Sequence, residues 1–300
     1  MAKLRKTLGK ERGLEHGEIA MNLPFTAYQR IVSFLMQPLI FKGYFKRDVG
    51  KEYGISGSTK LRLFFRMAEN TKRIPTASSW SEHIVMATKI LEMPRSVKGA
   101  VVECGCYKGG STANLSLICR ECGRELVVFD SFEGLPEPSS GDRDHLLIEQ
   151  KHIYRYSKGD WAGGLDEVRG NVSRYGDPSV CTYRVGFFEK TLPEWTGKCA
   201  FVFLDVDLLD SLKTCIEYLW PLLQDGCCLF THEAKDLRMA SLFFDRDWWS
   251  KTLHCEPPGL IGAGSGLGLE LGDLGFGSAV GYTVKNPEFG LFKTVEKSGM

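Results

Sequence analysis

Val101-Val102-Glu103-Cys104-Gly105-Cys106-Tyr107-Lys108-Gly109-Gly110-Ser111-Thr112 is the stretch that decides the fold: an apolar run, an acid, a glycine-rich turn and the opening of a helix. Glycines at such a turn permit positive φ and let a ligand approach the backbone closely. The helix that follows offers unpaired N–H groups to an anionic ligand group. Dinucleotide-binding turns space their glycines G-x-G-x-x-G. Here the spacing is G-x-x-x-G-G with Glu103 two residues ahead, which favours a zwitterion: the turn meets a carboxylate and Glu103 meets an ammonium, directly or through water.

Working outward, short apolar runs alternate with helix-length segments. The runs are Ala100–Cys104, Leu126–Asp130, Val180–Val185, Ala200–Asp205 and Cys227–Thr231, and most lack the polar alternation of a half-exposed strand. Ser111–Cys122, Leu165–Tyr175 and Ser211–Leu223 read as the intervening helices, the last interrupted by Pro221. This alternation predicts a Rossmann-like α/β domain with a mostly parallel sheet and helices on both faces. The domain is expected over residues 76–300, after a basic, helical N-terminal segment over 1–75 that ends at Pro75. Residues 133–180 form a long connection, expected as a lid, and Ala279–Lys285 is expected as a strand at the sheet edge.

Asp130 ends the second strand, 25 residues after Gly105. That is near the spacing of about 20 at which an acid grips ribose hydroxyls in Rossmann sites. Tyr107 and Ser111 share the glycine turn, and Ser131 and Phe132 follow Asp130, so all four join the expected cofactor site.

Composition narrows the alternatives. The chain has 300 residues, 43% hydrophobic and 25% charged, which suits an ordinary globular protein. Residues 1–75 carry 15 lysines and arginines against 6 acids, whereas the remainder is acidic. A basic arm of this kind can dock on its own body or on a partner subunit, or touch anionic lipid or nucleic acid; a solvated or self-docked segment is the favoured reading, and a homodimer is compatible with it. The acidic body and the absence of an Asn-Pro-Pro-Tyr motif argue against a nucleic-acid substrate. The apolar run Ile31–Phe45 contains Gln37, Pro38, Lys42 and Gly43 and falls short of the ~20 apolar residues of a bilayer span. No secretory signal is visible. The ten cysteines include Cys119-x-x-Cys122, a common zinc spacing. No matching pair follows it, so they read as reduced, buried thiols and the expected location is cytoplasmic.

Glu103-Cys104-Gly105 through Ser111, Asp130-Ser131-Phe132-Glu133-Gly134-Leu135-Pro136, Gly186 to Pro193 and Leu204-Asp205-Val206-Asp207-Leu208 together resemble the macrocin O-methyltransferase family of class I methyltransferases. The likeness covers roughly residues 75–285, and Asp-Ser-Phe-Glu-Gly-Leu-Pro is its most specific part. It implies a seven-stranded sheet with an antiparallel last strand, S-adenosylmethionine as cofactor and a small-molecule hydroxyl as methyl acceptor. It carries methionine contacts onto Glu103, Gly105 and Gly109, a ribose contact onto Asp130, an adenine-side region onto Asp160 and Trp161, and a cofactor neighbour onto Thr76.

A hydroxyl acceptor needs a base or a metal to take up its proton. Asp205 ends the fourth strand, and Thr231-His232-Glu233 ends the next. The resemblance implies a magnesium site with paired aspartates at the second of these ends, and Thr-His-Glu is a departure from it. Three readings stand: Asp205, His232 and Glu233 hold Mg2+; His232, with Asp205, serves as a metal-free base; or the three are structural caps. A nicotinamide-dependent oxidoreductase and a non-catalytic cofactor-binding protein are the competing functions.

Overall fold

The structure, a computed structural model, describes residues 41–142, 144–147, 152–264 and 278–286. Helix α1 (Gly57–Arg73) starts where the Ser56 hydroxyl accepts from the Thr59 N–H, and α2 (Trp80–Glu92) starts on a capping box between Ser79 and Glu82. Strand β1 (Ala100–Cys104) feeds α3 (Gly110–Cys122), which leads to β2 (Leu126–Asp130). A hairpin of β3 (Asp144–Leu147) and β4 (His152–Arg155) follows, then α4 (Leu165–Tyr175), β5 (Cys181–Val185) and the short α5 (Phe188–Thr191). The chain continues through β6 (Cys199–Leu204), α6 (Leu209–Leu222), β7 (Leu223–Thr231), α7 (Leu237–Leu242), α8 (Arg246–Leu253) and β8 (Gly281–Val284).

The main sheet runs β5-β2-β1-β6-β7-β8, parallel except for β8, which pairs antiparallel with β7 at the edge. This sheet has six strands among the described residues where seven were expected. Pro221 lies one residue inside the end of α6, and β7 begins at Leu223, four residues before its expected start. Every residue of β1 and β6 is buried, as strands covered by helices on both faces require. Phe201 stacks on Phe230, with ring centroids 5.2 Å apart, and Tyr282 of β8 stacks on Phe230 in turn, tying the edge strand to the core.

The strand order reverses between β1 and β6, so the crevice at the carboxyl ends of the strands opens there, the usual place for a ligand in such a sheet. Residues 1–40 of the basic segment lie outside the described residues. Its described part is docked: Leu63 and Met67 of α1 belong to the same core as Val101 of β1. The lid expected over 133–180 holds the β3–β4 hairpin and α4. All ten cysteines are free; Cys119 and Cys122 are buried in α3. Trp249 is fully buried, its indole N–H donating to the Leu242 carbonyl. No helix among the described residues is long and apolar enough to cross a membrane.

Candidate active site

The turn after β1 is possible only with glycine. Gly105 has φ +81°, and a Cβ on it would lie 1.8 Å from the Asp205 carbonyl oxygen at the end of β6. The two strand ends meet there backbone to backbone. Gly109, also at positive φ, precedes α3 and brings no capping side chain, which leaves first-turn N–H groups of that helix for a ligand.

Glu103 lies fully buried beneath this turn. One carboxylate oxygen accepts from the Thr112 hydroxyl at 2.6 Å, while Oε1 has no hydrogen-bond partner. Burial pushes its pKa up to about 8, against the hydroxyls of Ser111 and Thr112, which lower it. A buried carboxylate oxygen left unpaired is costly, and a cationic ligand group above it would supply the missing donor. Asp130 closes the other side of the turn, accepting from the backbone N–H groups of Cys106 and Phe132 at 2.7 Å each. Burial raises its pKa, and those N–H groups oppose the shift.

The crevice above these groups is a cavity of about 410 Å3. Of the expected cofactor residues, Gly105, Tyr107, Asp130, Ser131 and Trp161 line it. Glu103, Gly109, Ser111, Phe132 and Asp160 do not. Asp160 instead accepts from the Ser157 N–H, and the Phe132 ring is buried with its edge toward Tyr183. Tyr107 and Trp161 meet edge to face at 5.6 Å and form an aromatic wall. Tyr107, Phe132, Trp161 and Asp207 all hold positive φ, a backbone strain typical of ligand sites.

Thr76 also lines the crevice, beside Gly110 at the start of α3. A chain of buried polar groups stands behind it. The Thr76 and Ser78 hydroxyls lie 3.1 Å apart, Ser78 reaches His83 Nε2 at 2.7 Å, and Asn114 Nδ2 meets His83 Nδ1 at 2.7 Å. Asn114 Nδ2 also donates to the Met67 carbonyl, and its oxygen accepts from Asn70. The amide is thereby oriented, so His83 Nδ1 accepts and the proton sits on Nε2. Burial lowers the His83 pKa to about 4, which keeps the ring neutral.

The β6–β7 side of the crevice is crowded with charge. Asp205, Asp207, His232 and Glu233 line it together. His232 Nδ1 lies 3.3 Å from Asp205 Oδ1, and Nε2 lies 4.0 Å from Glu82 Oε2 of the α2 capping box. Burial pulls the His232 pKa down, but Asp205, Glu82 and Glu233 outweigh it and hold it up at about 10. Carboxylates on both sides favour the charged form of the ring, and a ring biased that way is a poor general base. Glu233 Oε1 accepts from the backbone N–H groups of Val206 and Asp207, clamping the turn after β6. Burial and the carboxylates of Asp207 and Asp205 raise the Glu233 pKa to about 8.

As a magnesium ligand set, Asp205, His232 and Glu233 do not fit. Both imidazole nitrogens face carboxylates, one Glu233 oxygen is committed to the backbone, and no group of three His, Cys, Asp or Glu among the described residues converges to hold a metal. Asp207 is the residue that the sequence reading left out of the site. It accepts from the Tyr156 hydroxyl at 3.1 Å, and burial with the neighbouring Asp205 raises its pKa to about 7. Its signal in the sequence was the alternation Asp205-Val206-Asp207 at a strand end. The side chains of His145 and His152, the two histidines of the 133–180 connection, lie outside the described residues.

The family profile of the macrocin-O-methyltransferases (TylF) matches residues 85–240, just over half of the chain and the whole run from β1 to β7. This chain belongs to the macrocin-O-methyltransferase family. It is 37% identical over 136 residues to the 8-demethyl-8-(2,3-dimethoxy-alpha-L-rhamnosyl)-tetracenomycin-C 4'-O-methyltransferase of Streptomyces olivaceus. That match takes in 43% of this chain and 51% of the relative, so the chain spans about half the length of that curated protein. Among solved structures, the O-methyltransferase NovP superposes with a TM-score of 0.55 at 18% identity, covering 75% of this chain and 98% of NovP, which shows a shared fold. The calicheamicin methyltransferase CalS11 gives a TM-score of 0.49 at 15% identity, over 75% of this chain and 92% of its own. The macrocin-O-methyltransferase profile covers both halves of the crevice.

Proposed function

We propose that this family member is an S-adenosylmethionine-dependent methyltransferase that methylates a hydroxyl of a small molecule, a sugar or a glycosylated natural product. The observation that carries the reading is the crevice itself: a glycine turn over the unpaired Glu103 oxygen, with Asp130 beside it, opening directly onto Asp207. The rhamnosyl group in the name of the Streptomyces relative supports a sugar hydroxyl as acceptor.

The bound cofactor supplies an activated methyl group on a sulfonium. The residues that would hold it are assigned by their chemistry. Glu103 and the α3 N-terminus face opposite charges of an amino-acid end, Asp130 accepts from vicinal ribose hydroxyls, and Tyr107 and Trp161 offer an aromatic wall. Asp207, poised near neutral pH, takes the acceptor's proton, and His232 offsets the negative charge around it. Leu135, Pro136, Tyr156 and Trp161 bring residues from both ends of the hairpin segment to the cavity, which suits a lid that excludes water. Ten free cysteines suit a reducing compartment, so a cytoplasmic location belongs to the same reading, as does a homodimer through the basic arm.

The test is transfer of a labelled methyl group from S-adenosylmethionine to a panel of glycosylated polyketides and free deoxysugars. Label on an acceptor hydroxyl is the expected result. Cofactor binding with no labelled acceptor in the panel would favour a non-catalytic binding protein instead.

A further inference from the structure

The departure from paired aspartates has a structural meaning of its own. Asp205, Asp207 and Glu233 gather on one wall of the crevice, a concentration of carboxylates that ordinarily draws a divalent cation. Here an imidazole ring lies among them. Its Nδ1 faces Asp205 Oδ1 at 3.3 Å and its Nε2 faces Glu82 Oε2 at 4.0 Å. A histidine that ligates metal presents one nitrogen lone pair to the ion and donates from the other nitrogen. This ring turns both nitrogens toward carboxylates, the nearer being Asp205 at 3.3 Å and the farther Glu82 at 4.0 Å.

Glu82 is fixed in place independently of the crevice. Its Oε2 accepts from the Ser79 N–H at 2.7 Å and the Ser79 hydroxyl at 3.0 Å, and its Oε1 accepts from the Val280 N–H at 3.3 Å. The helix cap that starts α2 thus also anchors the far side of the ring. Glu233 is equally committed, with Oε1 shared between two backbone N–H groups. The wall is assembled from segments far apart in the chain that meet around the imidazole.

We propose that His232, clamped between Asp205 and Glu82, is a built-in cation that takes the place of a divalent metal on the acceptor side of the crevice, so that this chain works without one. His232 is then a positioning residue: it neutralises and orients Asp205, and through the shared wall it sets the field around Asp207. The claim about turnover rests on the methyltransferase reading above, whereas the claim about metal binding does not.

Mn2+ is the probe, because it accepts the same oxygen ligands as Mg2+ and its free form gives a paramagnetic resonance signal. In a titration of the full chain, the free-ion signal is expected to follow that of buffer up to about 1 mM. His232→Asp replaces the ring with a fourth carboxylate and is expected to gain one Mn2+ per chain, at least about tenfold tighter than the wild type. Should that variant fail to fold, His232→Asn removes the charge at similar size and is expected to move in the same direction. One Mn2+ bound per wild-type chain below about 0.1 mM, or no gain in either folded variant, overturns the inference. S-adenosylhomocysteine calorimetry on the same wild-type sample separates the two readings. Absent nucleoside binding with the Mn2+ pattern intact sinks the methyltransferase reading alone; tight Mn2+ binding beside normal nucleoside binding sinks this one alone.

Discussion

At the ends of β1 and β2 the crevice is framed by backbone and one acid, whereas at the ends of β6 and β7 it is walled by three carboxylates and an imidazole. Each half contains or borders a histidine, His83 fully buried and His232 partly exposed, and the pair shows what separates them. His83 sits among Asn114 and Ser78, neutral groups, and burial takes its pKa to about 4. His232 sits between Asp205 and Glu82, and the carboxylates lift it to about 10. Burial alone does not decide charge; the partners do. In the proposed reading the first half receives a ligand's fixed charges, and the second moves a proton.

The comparison is most exposed at Asp207. Asp207→Asn is expected to lower turnover by about 10²–10⁴, the usual worth of a positioned base, while leaving S-adenosylhomocysteine affinity unchanged. A matched loss of affinity would mean that the two halves are not separable. Gly105→Ala attacks the seam between them. With its Cβ driven against the Asp205 carbonyl, the variant is expected to lose about 3 kcal/mol or more of stability, read by urea unfolding.

Within the binding half, Asp130→Asn is expected to weaken nucleoside binding by roughly 10–100-fold and, because the amide nitrogen cannot accept from one of the two backbone N–H groups the carboxylate holds, to cost about 1–3 kcal/mol of stability. Glu103→Gln sharpens the same half from the other direction. The folded-state pKa of Glu103 is raised above 4.5 to about 8, so its contribution to stability is fully present below pH 4.5 and is lost as pH rises through 8. The variant should therefore gain on the wild type between pH 5 and pH 8.5, reaching about 1–2 kcal/mol, while binding the nucleoside less well. A variant that is less stable at both pH values would show that Glu103 has a packing role and not a ligand role.

The fold and the binding half were legible because both are written in local sequence. Five of the six strands of the sheet follow apolar runs such as Leu126–Asp130, and β8 follows Ala279–Lys285. The glycine turn declares itself through Gly105 and Gly109, whose positive φ few other residues accept. The acceptor half was less legible, since its chemistry depends on residues far apart in the chain. Glu82, which reads as a helix cap, reaches the imidazole of His232 150 residues later. Tyr156 lies in the lid and sets Asp207. Local pattern gave both aspartates but not their partners, and it offered His232 as a base because its ordinary pKa lies near 7. The carboxylates of Asp205, Glu82 and Glu233 reverse that.

Calorimetric titration of the full chain with S-adenosylhomocysteine, run beside NAD+, tests the central claim most directly. The account predicts one nucleoside bound per chain with micromolar affinity, lost on Asp130→Ala, and no measurable heat from NAD+. Tight NAD+ binding with none of the nucleoside, or nucleoside binding indifferent to Asp130, would contradict it.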